Sequence, residues 1–150
     1  ISVSLMGLSA VASLVLLATH LSLTEPLTMT FTWLTLSHFS LNFGYLLDRL
    51  SLLMLFLVSF ISFLIQVYSL GYMDTDPGKP RFFAYLSFFS WSMMSFVIAP
   101  NLVQAYVFWE LFGLASYLLI GFWYEKPQAA AAAVIAGIRY FVLRRIFHRK

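Results

Sequence analysis

Residues 1–24, 50–73, 82–109 and 111–124 contain no Asp, Glu, Lys or Arg. Uncharged apolar runs of this length restrict a chain to very few folds. A helix needs about 20 apolar residues to cross a bilayer, and backbone groups in lipid must pair internally. Composition agrees: 61% of the 150 residues are hydrophobic and only 10% are charged. A soluble domain carries about 25% charged residues, so this chain lacks the polar surface to cover itself in water. The mean hydropathy is +0.87.

The sequence therefore predicts an all-α polytopic membrane protein. Four transmembrane helices are expected, at about 1–24, 48–73, 82–99 and 102–124. Residues 1–128 form the helix bundle and 129–150 an alanine-rich, then basic, amphipathic tail. Ile1 already lies in an apolar run, so further sequence is expected upstream.

Residues 25–47 change period. Met29, Phe31 and Trp33 alternate with Thr28, Thr30 and Thr32, and Phe39, Leu41, Phe43 and Tyr45 alternate with Ser40, Asn42 and Gly44. Period two with β-branched and aromatic residues reads as strand. The expectation is a surface β-hairpin between the first and second helices, turning at Leu36-Ser37-His38, with Trp33 suited to the interfacial aromatic belt. His20 reads as an interfacial or packed histidine and His38 as a loop residue.

In the second span Ser59, Ser62, Gln66 and Ser69 fall at spacings of three and four. They share one helical face, and such a stripe should meet neighbouring helices. The polar run 74–81 contains two prolines and a glycine and stops the helix. Pro100-Asn101 is a second, very tight turn.

The tail carries Arg139, Arg144, Arg145, Arg149 and Lys150 among apolar residues. Its expected form is a basic C-terminal helix in the interface, because Arg139 in mid-bilayer would cost about 2.5–3.5 kcal/mol. One side of the bundle then carries Lys79, Arg81, Lys126 and the tail cations, and the other Arg49 alone. The positive-inside rule places the 74–81 turn in the cytoplasm or its equivalent.

The chain has no cysteine, so thiolate metal sites and Fe–S ligation are excluded within it. It has no phosphate-binding glycine loop and no nucleic-acid footprint. No cofactor-binding or metal-binding residue, redox centre or nucleotide site is expected in this chain.

Glu110 is the acidic residue well inside a span. Desolvation opposes its charge and a nearby cation would favour it, and a group between those pulls can take up and release protons. Tyr106, Glu110, Gly113 and Tyr117 share a face. Gly113 would let another helix approach, and the tyrosine hydroxyls of Tyr106 and Tyr117 could order water or bond the carboxylate. Glu110 is thus the candidate proton relay, with the two tyrosines as candidate helpers. A structural reading, a protonated Glu bonding a neighbouring helix, stands beside it.

The stretch Phe108-Trp109-Glu110-Leu111-Phe112-Gly113-Leu114-Ala115-Ser116-Tyr117-Leu118-Leu119-Ile120-Gly121-Phe122-Trp123 resembles a signature of the antiporter-like subunit 5 (subunit L) of respiratory NADH:quinone oxidoreductase, complex I. Phe43-Gly44-Tyr45 with Leu47-Asp48-Arg49-Leu50-Ser51, then Arg81-Phe82-Phe83-Ala84-Tyr85, then Pro100-Asn101-Leu102 resemble further elements of that family, in its order, over about 25–133. The resemblance implies an N-terminal portion of a many-helix subunit that couples electron transfer from NADH to quinone with proton pumping. It implies the key proton-channel carboxylate at Glu110, facing a lysine beyond residue 150. It places NAD, FMN, Fe–S clusters and quinone on partner subunits. Other membrane subunits of complex I and the lipid bilayer are the implied partners, in a bacterial cell membrane or an organellar inner or thylakoid membrane.

The pattern departs at Val134-Ile135-Ala136-Gly137-Ile138-Arg139, where the family continues with Lys-Ala-Phe. Two other readings share the residues: a subunit of a multisubunit sodium/proton antiporter or membrane-bound hydrogenase, and a non-transporting truncated remnant. The Phe112–Tyr117 run favours the respiratory subunit.

Overall fold

A computed structural model describes residues 1–20, 26–36, 39–123 and, singly, 132, 134, 135 and 137. Four helices and one two-stranded sheet follow in the order α1 (Ser2–His20), β1 (Leu27–Leu36), β2 (Phe39–Leu47), α2 (Arg49–Tyr72), α3 (Lys79–Val97) and α4 (Leu102–Ile120). The hairpin lies between the first and second helices, as the period-two pattern implied. Its strands are antiparallel, with Thr30 opposite Gly44 and Phe31 opposite Phe43, and the register slips between Thr32 and Leu34. The turn residues Ser37 and His38, and most of the tail expected at 129–150, lie outside the described residues.

Helices α1, α2 and α4 are long and apolar enough to cross a membrane. At about 1.5 Å per residue, the 24 residues of α2 and 19 of α4 reach across the hydrocarbon layer. Helix α3 also has 19 residues but is more polar, with Lys79 and Arg81 in its first turn. It begins before Phe82, where the span was expected, because Gly78 caps it and Pro80 fits its first turn.

Three helix starts and turns have local causes. Asp48 caps α2: the Ser51 N–H donates to its Oδ1 at 2.7 Å, and the Asp48 N–H donates to the Ser51 hydroxyl at 2.9 Å. Asn101 caps α4, accepting from the Gln104 N–H at 2.8 Å, which fixes the tight Pro100-Asn101 turn. Pro77 and Gly78 interrupt the chain between α2 and α3.

The interior reverses the usual soluble pattern. Buried polar side chains include Ser13, Ser59, Ser62, Gln66, Ser69, Ser90 and Ser92. Large apolar side chains such as Leu8, Val15, Leu57, Ile61, Leu64 and Ile65 face outward. A continuous apolar exterior of this kind would aggregate in water, whereas in lipid it is already in its preferred solvent. Helices there associate through small residues and interhelical hydrogen bonds. Ser13 and Ser59 meet hydroxyl to hydroxyl at 2.8 Å between α1 and α2. Ser69 and Ser90 return their protons to the carbonyls of Ile65 and Leu86, a local way to satisfy a buried hydroxyl. The α2 stripe is buried at all four positions.

The bundle has two ends. At the hairpin end, the Leu46 N–H donates to the Ile98 carbonyl at 2.9 Å, which brings β2 to the α3–α4 turn. At the other end, the Trp123 indole N–H donates to Asp76 Oδ2 at 3.0 Å. Arg81 donates to the Phe122 carbonyl at 3.2 Å and lies 5.1 Å from the centre of the Phe122 ring. The 74–81 turn is thereby fastened to the end of α4.

Candidate functional site

Helix α4 packs on α3 through aromatic rings. Phe112 lies 4.8 Å from Phe89 and Phe108 lies 5.5 Å from Trp91, centre to centre. Ala115 is fully buried in the same flank. Each residue advances about 100° around a helix, so Glu110, two positions from both Phe108 and Phe112, is turned to the flank away from α3.

That flank holds the residues singled out in the sequence. Glu110 lies near the middle of α4 and is half-buried. Tyr106 and Tyr117 are each 41% exposed. The Tyr106 ring is tilted against Trp109 at 6.1 Å. A methyl group at Gly137 would lie 3.3 Å from the Tyr117 ring. The structure thus gathers Glu110, Tyr106 and Tyr117 on one face, turned away from α3. Among the described residues no hydrogen bond or ion pair to the Glu110 carboxylate is formed. Among the described residues no group of three His, Asp or Glu side chains could hold a metal ion.

Two pairings not anticipated in the sequence organise the hairpin end of the same helix. Gln104 is buried, and its amide pairs with both backbone groups of Gly44: the Gly44 N–H donates to Oε1 at 2.9 Å and Nε2 donates to the Gly44 carbonyl at 2.8 Å. Asn101 donates through Nδ2 to the Asn42 carbonyl at 2.6 Å. The sequence showed the tight Pro100-Asn101 turn before the helix. It gave no sign that the glutamine would leave the helix to bind a strand.

Outside the spans, Asp48 and Asp74 ionise more readily than ordinary carboxylates. The Ser51 hydroxyl, then its N–H, holds Asp48 below the usual range. The hydrogen bond and charge of Lys79, 2.9 Å away, do the same for Asp74.

A buried serine and amide lining, an apolar exterior and three helices fit to cross a bilayer define a multi-pass membrane protein. Residues 33–83 match the family described as NADH-ubiquinone oxidoreductase (complex I), chain 5 N-terminus, and residues 99–146 match the family described as NADH:quinone oxidoreductase/Mrp antiporter, transmembrane. NAD(P)H-quinone oxidoreductase chain 5 of Picosynechococcus sp. is 47% identical over 95% of the chain and 21% of its own length. The chloroplastic subunit 5 of Mesostigma viride is 43% identical over 96% of the chain and 22% of its own length. That of Chara vulgaris is 52% identical over 72% and 16%. The chain belongs to the subunit 5 family of NAD(P)H-quinone oxidoreductases, and it spans about a fifth of the length of the curated relatives it matches.

Proposed function

We propose that these residues form part of the proton-translocating membrane arm of an NAD(P)H-quinone oxidoreductase, with Glu110 as a proton carrier. The observation that carries the reading is the position of Glu110: a half-buried carboxyl near the middle of an apolar helix, on the flank that α3 does not cover. An ionisable group at that depth is costly and is a functional site by default. With about a fifth of the family's length present, helices from the rest of the polypeptide supply the cover for that flank.

In this reading α3 is a fourth span. It matches α1 in length and is fastened at both ends to the same turns as its neighbours. The hairpin lies at one surface. The 74–81 turn, with Lys79 and Arg81, lies on the cytoplasmic or stromal side under the positive-inside rule. Electron carriers and quinone sit on partner subunits. Events there alter the charge near Glu110 and so its affinity for a proton. Tyr106 and Tyr117 flank the carboxyl and order the water or hydroxyl through which the proton leaves.

The match over 33–83 is to a family described for chain 5 alone, while that over 99–146 is shared with the Mrp antiporters. The first favours the oxidoreductase over an antiporter. Replacing Glu110 with Gln in the full-length subunit tests the role: proton pumping should fall while the complex assembles. Undiminished pumping in the assembled variant refutes it.

A further inference from the structure

A cavity of about 830 Å³ lies between α1, α2 and α3, on the side of α3 away from Glu110. Its walls are largely apolar, but polar groups occur along its length. Ser2 and Lys79 stand near the end that carries the 74–81 turn, and Ser9, Gln66, Ser87 and Met94 line it further in. Ser87 is eight residues past Lys79, about 12 Å into the bundle at 1.5 Å per residue.

Gln66 is completely buried, yet neither its amide oxygen nor its amide nitrogen has a protein partner among the described residues. The Ser87 hydroxyl is likewise buried, with no partner among the described residues. Buried polar groups are almost always satisfied, and an amide left unpaired in an apolar setting is costly. Ser69 and Ser90, one turn away on the same helices, return their hydroxyls to their own backbone. Gln66 does not, and its two donors and its acceptor are left to the cavity.

We propose that this cavity is a water-filled inlet. It opens at the 74–81 end and carries water to Gln66 and Ser87, whose amide and hydroxyl hold the chain of water molecules partway along it. The volume suits this: one water occupies about 30 Å³ of liquid, and a bound water needs two to four polar partners. An acyl chain in the same space would leave Gln66 unpaired. The inlet is distinct from the Glu110 flank and does not depend on that residue's role.

Residues 1–150 contain no cysteine, so a thiol introduced among them is read on its own peptide. Ser87→Cys is made in the full-length subunit and assembled into the complex in sealed vesicles. A charged, membrane-impermeant methanethiosulfonate is added from one side at a time, and modification of the peptide is read by mass spectrometry. Thiolate, the reactive form, requires water. Thr75→Cys in the exposed turn serves as the water-facing control and Ile61→Cys, on the apolar exterior, as the lipid-facing one. Ser87→Cys should react at least about tenfold faster than Ile61→Cys, and from the side on which Thr75→Cys reacts. Adding Gln66→Leu should slow it at least about fivefold. If Ser87→Cys fails to assemble, Ser9→Cys reports from the α1 wall with the same expectation. Reaction as slow as that of Ile61→Cys, which an acyl chain or a further helix in the cavity would give, overturns the proposal. So does reaction from the opposite side. Pumping by Glu110→Gln is read separately and bears only on the other flank.

Discussion

Gln104 and Gly44 hold each other by two reciprocal hydrogen bonds, 2.9 and 2.8 Å long, sixty residues apart in sequence. The glutamine amide presents to the strand the same donor and acceptor that a neighbouring strand would. It thereby caps part of the hairpin's open edge, which is otherwise a site for unwanted pairing, and fixes the hairpin over the start of the helix that bears Glu110. The position admits only glycine: a Cβ at residue 44 would lie 2.8 Å from the Thr30 Cα and closer still to the Met29 carbonyl.

Replacing Gln104 with Leu should therefore release the hairpin. It leaves the Gly44 N–H and carbonyl unpaired, a loss of about 1–3 kcal/mol. Gly44→Ala should be at least as damaging, because the clash is with backbone and has no side chain to yield. Hydrogen exchange of the β2 amides in either variant should accelerate, while exchange in α2 stays slow.

The Ser13–Ser59 contact makes a smaller contribution. Interhelical hydrogen bonds in membranes average about 0.6 kcal/mol, and Ser59→Ala should destabilise the α1–α2 pair by about that amount. Ser59 is completely buried, so Ser59→Leu adds bulk where there is no room and should cost about 1–3 kcal/mol. Denaturant titration in detergent micelles separates the two variants.

Asp48 should stabilise the hairpin-to-α2 junction in a pH-dependent way. Its carboxyl is held below its ordinary value of 3.8 by Ser51, so its contribution is complete above that value. It is lost as pH falls further, through the folded-state value. Asp48→Ala should cost about 1 kcal/mol, the usual loss of a helix cap, and should abolish the acid dependence. Ser51→Ala should shift the Asp48 titration back toward 3.8, as read by carboxyl carbon resonances.

At the other end, Arg81→Ala should loosen the 74–81 turn from α4. It removes both the bond to the Phe122 carbonyl and the cation over the Phe122 ring, together about 0.5–2 kcal/mol. Arg81→Lys should recover little, because a point charge lacks the planar fork. Faster protease cleavage within 74–78 reports the change.

Much of this fold is legible in the sequence because the solvent is so selective. Uncharged runs gave the helices, period two gave the hairpin, and the 74–81 and Pro100-Asn101 turns marked boundaries through rules that are local. The α2 serine stripe was legible for the same reason: in lipid, hydroxyls at helical spacing have one favourable direction. Long-range pairings were not legible. Nothing near Gln104 names Gly44 as its partner, and nothing near Trp123 points to Asp76. The flank of α4 that α3 covers could not be read either, since aromatic residues occur all round that helix. The shared face of Tyr106, Glu110 and Tyr117 follows from spacing alone, but its turn away from α3 depends on how Phe108 and Phe112 dock.

The central claim is that Glu110 changes protonation during turnover. Infrared difference spectroscopy of the complete, assembled oxidoreductase, recorded on adding nicotinamide substrate, observes this directly. A protonated-carboxyl band should appear or vanish with turnover, and should be missing in Glu110→Gln. Identical difference spectra in that region from the native and Glu110→Gln complexes, with both reducing quinone, would contradict the claim.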